Sequence, residues 1–297
     1  MLSYLSQVGH LIKFSLNSPK MRLEKGMLII SIDVDVGNKE LGVINKQKDS
    51  RDVNRYFSEY SIGVIEELAL PMFLSLLEGF EIRVTFAIRG QWLEVPNYTL
   101  DCLLGSSIKH DIGGHGYYHR RFKHLSREEA DLELAKVHVA MNRSYLTPVS
   151  FVFPGNSIAY LDLLTKYGFK CYREHGGFLK DGLYISRHSQ LWDVHPSLYV
   201  DRYSNFLVVR KILDLCSSRK LPFHIWFHLW NFGNTKNSIQ NCLKNLFFPF
   251  LQYARHQTED GRLTFETMAS AIRIMETKAD LIHTSNSYGE NNGKQRL

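Results

Sequence analysis

The sequence MLIISIDVDVG at residues 27–37 is an apolar run followed closely by two aspartates, Asp33 and Asp35. Its first six residues, MLIISI, have the character of a buried strand. Because side chains alternate along a strand, Asp33 and Asp35 share one face at its end. Two carboxylates that close repel each other unless they share a cation or a proton. The stretch therefore predicts a functional site at the end of the first strand.

Segments of strand and helix character alternate along the rest of the chain. Apolar residues at helical spacing mark residues 62–77, and SREE, which starts at Ser126, has the Ser-x-x-Glu pattern of a helix N-cap. Strand-like segments are EIRVTFAI (81–88), SFVFP (150–154), FKCYRE (169–174) and LPFHIWFHL (221–229). This alternation predicts an α/β protein with a parallel sheet, open or closed into a barrel. Such folds place their chemistry at the carboxyl ends of the strands.

The composition is that of a globular protein and excludes several other classes. Of the 297 residues, 44% are hydrophobic and 22% are charged, which argues against a disordered or collagen-like chain. The net charge of +6 is small and the basic residues are spread out, so we predict no nucleic-acid partner. The four cysteines are widely spaced without a CxxC pair, which argues against a disulfide framework and a cysteine zinc site.

The two ends of the chain differ from its middle. Residues 1–25 form an N-terminal extension whose apolar residues could make an amphipathic helix, packed on the domain or lying on a membrane surface. Residues 26–280 are predicted to be one domain, and the polar residues 281–297 a disordered tail. The sequence contains neither a membrane-spanning apolar run nor a signal-peptide cleavage site. We therefore expect a cytoplasmic protein, with peripheral contact at a membrane as an alternative.

A second candidate site is HDIGGHGYYHRRFKHLS at residues 110–126, which holds four histidines. His115 and His119 are spaced i, i+4, which would bring two imidazoles to one side of a helical turn. With one carboxylate they would form an Asp-His-His set that leaves positions for water and substrate, as in a catalytic metal site. Zinc, cobalt or nickel would suit such a set. We interpret His110 and His124 as surface residues or as residues behind the ligands.

A third segment, FVFPGN at residues 151–156, is a predicted strand followed by a Pro-Gly turn. Such a turn often only closes a loop. It can also present a backbone N–H, here that of Gly155, to an oxyanion. Farther along, LWDVHP supplies Trp192 and Asp193, an aromatic ring and a carboxylate that could form the wall of a sugar site.

The last candidate segment is PFHIWFHLWNF at residues 222–232, where His224, Trp226 and His228 share one face of a predicted strand. His228 lies nearest the strand's carboxyl end and could act as a general acid or base near neutral pH. His224 could equally be a histidine of the core.

In this order the segments resemble the polysaccharide deacetylase family, also called the NodB-homology domain or carbohydrate esterase family 4. SIDVD (31–35) is similar to the family's first motif and HGYYH (115–119) to its His-x-x-x-His motif. FVFPGN is similar to the third motif and FHLWNF (227–232) to the last. VTFAIRGQWLE (84–94) also resembles the strand that precedes the second motif. The resemblance extends over about residues 27–275, and the first two motifs are its most specific part.

The resemblance implies a deformed (β/α) barrel with seven or eight strands. It also implies a divalent metal, with zinc expected, on Asp35, His115 and His119. The implied partner is a carbohydrate that contains N-acetylhexosamine. The wall of the implied substrate site consists of Pro154, Trp192, Asp193 and Trp226.

By the same resemblance, Asp33 would be the general base and His228 the general acid, while the Gly155 N–H would help to hold the oxyanion. The chain departs from the family in two ways. Its acidic pair is separated by a valine, and apolar residues stand where the third motif usually has an arginine that orients the base. Arg173, at the end of the next predicted strand, is a candidate for this orienting role.

We therefore expect a metal-dependent N-deacetylase of a polysaccharide, an oligosaccharide, or a lipid- or nucleotide-linked glycan intermediate. Two alternatives stay open: hydrolysis of another non-peptide C–N bond in a small cyclic amide, and carbohydrate binding without activity. The missing arginine favours the inactive alternative. The presence of both Asp33 and His228 favours an enzyme, because a protein that only binds needs neither a base nor an acid. The oligomeric state stays open.

Overall fold

Strand β1 (Gly26–Val34) lies within a curved, mostly parallel sheet and is buried along its whole length. The structure is a computed structural model, and it describes residues 2–17, 21–34, 63–94, 98–174 and 181–277. β1 pairs in parallel with β2 (Thr85–Ile88) and with β9 (Pro222–His228). A strand covered on both faces needs apolar residues at nearly every position, and MLIISI supplies them.

The remaining strands complete a ten-stranded sheet within the described ranges. They are β3 (Asp111–Gly114), β4 (Ser150–Val152), β5 (Cys171–Arg173), β6 (Ile185–His188), β7 (Leu191–Val194), β8 (Leu198–Tyr199) and β10 (Leu263–Glu266). Hydrogen-bonded neighbours follow the order β6-β7-β5-β4-β3-β2-β1-β9-β8, and β10 pairs with the first half of β1. Every pairing is parallel except that of β6 with β7.

The sheet curls, so strands that are far apart in this order meet across its interior. Arg173 of β5 reaches Asp33 of β1, and Val194 of β7 reaches His224 of β9. The architecture is the deformed (β/α) barrel expected from the sequence. The ten strands exceed the expected seven or eight because the antiparallel β6 and the short β10 join the barrel strands.

Helices cover the outside of the sheet. They are α1 (Leu2–Leu16), α2 (Leu70–Gly79), α3 (Tyr98–Leu104), α4 (Arg127–Arg143), α5 (Leu161–Lys166), α6 (Phe206–Arg219), α7 (Lys236–Cys242) and α8 (Phe248–Glu259). Residues 268–277 form a further helical segment after β10. The predicted N-cap is confirmed: the Ser126 hydroxyl accepts the N–H of Glu129, whose carboxylate accepts the N–H of Ser126.

Two groups of buried apolar side chains stabilise the barrel. The larger group packs the helices on the outer face of the sheet, where Phe73 of α2 meets Phe227 of β9 edge to face. The smaller group lies inside the barrel and includes Met27, Ile29, Val152, Cys171, Trp192, Val194, Met268 and Ile272. Residues 268–277 lie at the amino ends of β2 and β3, where the backbone N–H of Met268 donates to Thr85.

The N-terminal helix α1 packs against α6 through a mixed face. Its buried side chains include Gln7, His10 and Phe14. The apolar side chains that are exposed instead are Leu5, Ile12 and Leu16. Most of the apolar residues that suggested an amphipathic helix are therefore exposed, and the helix contacts the domain mainly through other residues. None of the helices in the described ranges is long and apolar enough to cross a membrane. The predicted tail at 281–297 lies outside the described residues.

Candidate active site

A buried ion pair between Asp33 and Arg173 lies at the carboxyl ends of β1 and β5. Nη1 and Nη2 of Arg173 donate to Oδ1 and Oδ2 of Asp33 at 2.7 and 2.6 Å, a bidentate arrangement. Burial acts to raise the pKa of Asp33, but the positive charge of Arg173, together with its hydrogen bonds, outweighs burial and lowers the pKa to about 2. Asp33 is therefore an anion of fixed orientation at neutral pH. The expected orienting arginine is absent from the third segment, and Arg173 occupies this position beside Asp33.

The two predicted histidine ligands meet beyond the end of β3. Nε2 of His115 lies 3.1 Å from Nε2 of His119. Contrary to the sequence expectation, no helical turn joins them in this described segment. A loop does so instead, in which Gly116 and His119 both adopt left-handed backbone conformations, with φ of 68° and 59°. Glycine adopts that conformation without strain, whereas a histidine rarely does, so the surrounding structure holds His119 in place.

The histidine pair has the properties of a metal-binding pair. Nδ1 of His115 lies 2.8 Å from the carbonyl oxygen of Val152, so Nδ1 carries the hydrogen and Nε2 presents a lone pair. Burial, reinforced by nearby positive charge, holds the pKa of His119 well below its ordinary value, which keeps that ring neutral. Two nitrogens that each lie about 2.0 Å from a tetrahedral zinc ion would be about 3.3 Å apart. The observed separation fits that value.

The third predicted ligand, Asp35, lies outside the described residues. Within the part of the chain that the structure describes, no group of three His, Cys, Asp or Glu side chains could hold a metal ion. The structure thus brings His115 and His119 together next to Asp33 and leaves the place of Asp35 undescribed.

His228 faces Asp33 from the end of β9. Its Nε2 lies 3.8 Å from Oδ2 of Asp33. Oδ1 of Asn231 lies 3.2 Å from Nδ1 of His228 and accepts the His228 backbone N–H at 2.6 Å. The ring of Trp230 stacks on the imidazole with centroids 4.4 Å apart. Asn231 and Trp230 together turn Nε2 towards Asp33.

The Pro-Gly turn after β4 lies beside the loop at residues 115–119, here called the histidine loop. Pro154 is buried and so close to Gly116 that a side chain at Gly116 would meet the proline ring at 2.9 Å. Gly155 is exposed and has φ of 56°, a conformation that favours glycine. The turn therefore stands at the rim of the site, where the Gly155 N–H was predicted to act.

Three residues of the predicted substrate wall, Trp192, Asp193 and Trp226, have buried side chains. Trp192 pairs with Cys171 in the sheet register, and its ring is buried in the interior group one step below Arg173. The Asp193 side chain is fully buried and lies 3.0 Å from Nε2 of His195. Trp226 is also buried, and the Arg173 guanidinium lies 4.4 Å above its ring. Trp226 thus supports Arg173 from below, and Trp192 contributes to the core.

Sequence reasoning missed two residues that hold the site. Both carboxylate oxygens of Glu133, on α4, accept the backbone N–H of Tyr118, and one also accepts that of Tyr117. The side chain of Glu133 is almost fully buried, because it lies on the same stripe of α4 as the buried Ala130 and Val137. An acidic residue at this helical spacing was the signal that could have identified it. Asn231 is the second such residue. Its only signal was its place in FHLWNF, three residues after His228.

Comparisons with known proteins give matches in structure alone. No protein-family model matches the chain, and no curated protein matches it in sequence. Puue allantoinase is 13% identical, with a TM-score of 0.65 over 90% of this chain and 96% of that one. A probable polysaccharide deacetylase from Pseudomonas aeruginosa PAO1 is 12% identical, with a TM-score of 0.62 over 89% and 96%.

A third similar structure is a candidate polysaccharide deacetylase from Mycobacterium smegmatis. It is 14% identical, with a TM-score of 0.57 over 84% of this chain and 98% of that one. Identities this low establish the fold and not the activity. The resemblance drawn from the motifs and the likeness of the whole barrel agree, and the chain has the deformed (β/α) barrel fold of the polysaccharide deacetylases.

Proposed function

We propose that the chain is a metal-dependent hydrolase that removes the N-acetyl group from an N-acetylated sugar. One observation carries the proposal. A bidentate Asp33–Arg173 pair, two histidines with Nε2 atoms 3.1 Å apart, and His228 converge at the carboxyl ends of β1, β3, β5 and β9. The named deacetylases among the similar structures support a carbohydrate as the substrate.

Asp35, His115 and His119 would hold the metal, for which zinc is the expected ion. A zinc ion in such a site would polarise the acetyl carbonyl and lower the pKa of a water molecule towards neutrality. The tautomer of His115 and the neutral state of His119 support this assignment of ligands.

In the proposed reaction a water oxygen bonds to the acetyl carbon and the C–N bond breaks, which releases acetate and a sugar amine. Asp33 accepts the proton of the attacking water, and Arg173 keeps its carboxylate oriented while it does so. His228 donates a proton to the departing nitrogen. The Gly155 N–H would donate to the oxyanion that develops on the acetyl oxygen.

The test combines metal analysis with a direct assay for acetate release. We expect about one equivalent of zinc in the purified wild type and its loss in His115→Ala. Wild type should release acetate from N-acetylglucosamine oligomers, and Asp33→Asn should retain zinc but lose about 100-fold or more in kcat. His124→Ala, at an exposed histidine of the same segment, is the matched control and should behave as wild type.

Two results would overturn the proposal. One is wild-type protein that takes up no zinc even from an excess. The other is acetate release by Asp33→Asn at the wild-type rate. Sugar binding without turnover would support the carbohydrate-binding alternative.

A second candidate is the hydrolysis of a C–N bond in a small cyclic amide. The likeness to Puue allantoinase, at a TM-score of 0.65, favours it. The same site residues would serve, since this reaction also needs a base for water and an acid for nitrogen. Ring opening of allantoin without acetate release from acetylated sugars would select this alternative. A cytoplasmic location, with peripheral contact at a membrane as the alternative, remains our proposal for either activity.

A further inference from the structure

The barrel interior holds two polar side chains that the proposed reaction does not use, Ser31 on β1 and His224 on β9. Ser31 is 0% exposed and His224 is 1% exposed. Ser31 lies two residues before Asp33 on the same strand face, and His224 lies two residues before Trp226. A buried polar group costs free energy unless it is hydrogen-bonded, so the partners of these two residues matter.

The two side chains form a hydrogen-bonded chain that ends at the Asp33–Arg173 pair. Nδ1 of His224 lies 3.1 Å from the carbonyl oxygen of Val194, and Nε2 lies 2.8 Å from Oγ of Ser31. Oγ of Ser31 in turn accepts Nη1 of Arg173 at 2.9 Å. The same Nη1 donates to Oδ1 of Asp33 at 2.7 Å.

The two groups at the ends of this series, the Val194 carbonyl oxygen and the Arg173 guanidinium, determine which atom donates in each hydrogen bond. A carbonyl oxygen only accepts, so Nδ1 of His224 carries the hydrogen and Nε2 presents a lone pair. Ser31 must therefore donate its hydroxyl hydrogen to Nε2. Its oxygen lone pairs are then available to Nη1 of Arg173, which can only donate. Burial and the positive charge of Arg173 lower the pKa of His224 to about 3, which keeps the ring in the neutral form that this direction requires.

We propose that Ser31 and His224 are positioning residues that fix the guanidinium of Arg173 in register with Asp33. Ser31 holds Nη1 from one side, and the ring of Trp226 supports the guanidinium from below at 4.4 Å. His224 determines which way the Ser31 hydroxyl points. Both side chains are almost fully buried, so they act on Asp33 through Arg173 and not on the substrate directly. The inference rests on the proposed function, because it gives the hydrogen bonds from His224 through Ser31 to Arg173 the purpose of orienting the base, Asp33.

The alternative is that these hydrogen bonds only satisfy the buried polar atoms of Ser31 and His224. Removal of the Ser31 hydroxyl would then lower stability without a specific effect on turnover. Ser150 provides a matched control, because it is also 0% exposed and its hydroxyl donates to Asp111 at 2.6 Å. It lies at the amino end of β4, and among the described residues its hydroxyl bonds to Asp111 and Cys171 and not to the Asp33–Arg173 pair.

The kinetic experiment compares Ser31→Ala, Ser150→Ala and wild type, each loaded with zinc. Loss of an orienting hydrogen bond behind a reactive group costs about 10- to 100-fold in activity. We expect Ser31→Ala to lose that much in kcat with KM and zinc content unchanged. Ser150→Ala should keep the wild-type kcat even if its melting temperature falls as far. A wild-type kcat in Ser31→Ala would overturn the inference.

A second measurement separates this inference from the proposed function. Nitrogen-15 NMR of wild type should show Nδ1 of His224 protonated and Nε2 accepting a hydrogen bond, with restricted rotation of the Arg173 guanidinium. Ser31→Ala should shift the Nε2 resonance of His224 and release that rotation. An unchanged Arg173 signal in Ser31→Ala overturns the inference whatever the activity. A released Arg173 in a protein whose wild type is inactive supports the positioning and overturns the proposed function.

Discussion

Asp33 keeps its negative charge although its side chain is almost completely buried. A lone buried carboxylate would be protonated, because burial disfavours the charged form. Arg173 reverses this balance with two parallel hydrogen bonds, and the planar fork of a guanidinium is the group that can supply both. At the scale of single residues, Asp33 can therefore serve as a base only together with Arg173.

Arg173→Lys tests the second hydrogen bond while the positive charge is kept. A lysine provides one point charge and no planar fork, so Asp33 should lose its fixed orientation and its pKa should rise towards its ordinary value. We expect kcat to fall about 10- to 100-fold with zinc content unchanged, as measured by acetate release and elemental analysis. Arg187→Lys, at an exposed arginine over the Trp192 ring, is the control. Equal losses in both variants would contradict the pairing argument.

His110 affects the acid stability of the protein. Burial against Phe86 lowers the pKa of His110 to about 4, from an ordinary value of 6.5. The folded state therefore binds fewer protons than the unfolded state between these values. Stability from His110 is complete above pH 6.5 and is lost as the pH falls towards 4.

In His110→Asn, the free energy of unfolding should depend less on pH between 6.5 and 4, by at most about 1.4 kcal/mol per pH unit. Urea midpoints at four pH values measure the difference. His124→Asn, at the exposed histidine, should keep the wild-type slope. Parallel pH curves for His110→Asn and wild type would count against the assigned burial effect.

At the scale of elements, helix α4 links stability to the site. Its amino end is closed by the Ser126–Glu129 capping box, and its middle carries Glu133, which holds the backbone of the histidine loop. Because Glu133 binds the backbone directly before His119, the position of α4 fixes the position of His119. The cap that stabilises the helix and the carboxylate that holds the histidine loop are different residues of α4. Substitutions can therefore separate the two effects.

Ser126→Ala tests the cap alone. It removes the acceptor for the Glu129 N–H, and N-cap losses of this kind cost about 1 kcal/mol. We expect a loss of that size in the free energy of unfolding, measured by urea denaturation. Zinc affinity should stay at the wild-type value, because the histidine loop is held farther along the helix. A large fall in zinc affinity would show that the cap and the loop are not separable.

Glu133→Gln tests the loop. Burial raises the pKa of Glu133, but its carboxylate accepts the Tyr117 and Tyr118 N–H groups, and an amide has one acceptor oxygen instead of two. We expect about 10-fold weaker zinc binding in competition with a chelator. Asp131→Asn is the control on the same helix, since Asp131 pairs with Lys166 outside the site. The idea fails if both variants bind zinc as wild type does.

At the scale of the whole molecule, a helical segment covers the amino ends of the barrel strands, and the candidate site lies at their carboxyl ends. Residues 268–277 cover the amino ends of the strands, where Met268 and Ile272 join the interior apolar group. Above that group lie Ser31, Asp33 and Arg173. The apolar floor excludes water from one side of the polar layer, which strengthens the interactions within it.

Met268→Ala should open a cavity in this floor. Truncation of a fully buried methionine costs about 2–5 kcal/mol, so the melting temperature should fall markedly. Zinc content should not change, because His115 and His119 lie at the opposite ends of the strands. Val139→Ala, at an exposed apolar residue of α4, should leave the melting temperature nearly unchanged. Loss of zinc in Met268→Ala below its melting temperature would contradict this separation of floor and site.

The sequence by itself determined the class of fold and the order of the site segments. Apolar runs that end in polar residues identified the central strands, and side-chain alternation indicated which faces their residues share. The pairing of His115 with His119 also followed from local spacing, although a left-handed loop brings them together instead of a helical turn. These features are local, so a pattern of neighbouring residues contains them.

Only the tertiary structure decided which residues meet across the barrel. Arg173 and Asp33 lie on strands that are not neighbours in the sheet, and the curl of the sheet places one opposite the other. The same curl buries Trp192 in the interior apolar group. Periodicity indicates the face on which a side chain lies. It does not indicate what lies opposite that face, because that depends on how the whole sheet bends and closes.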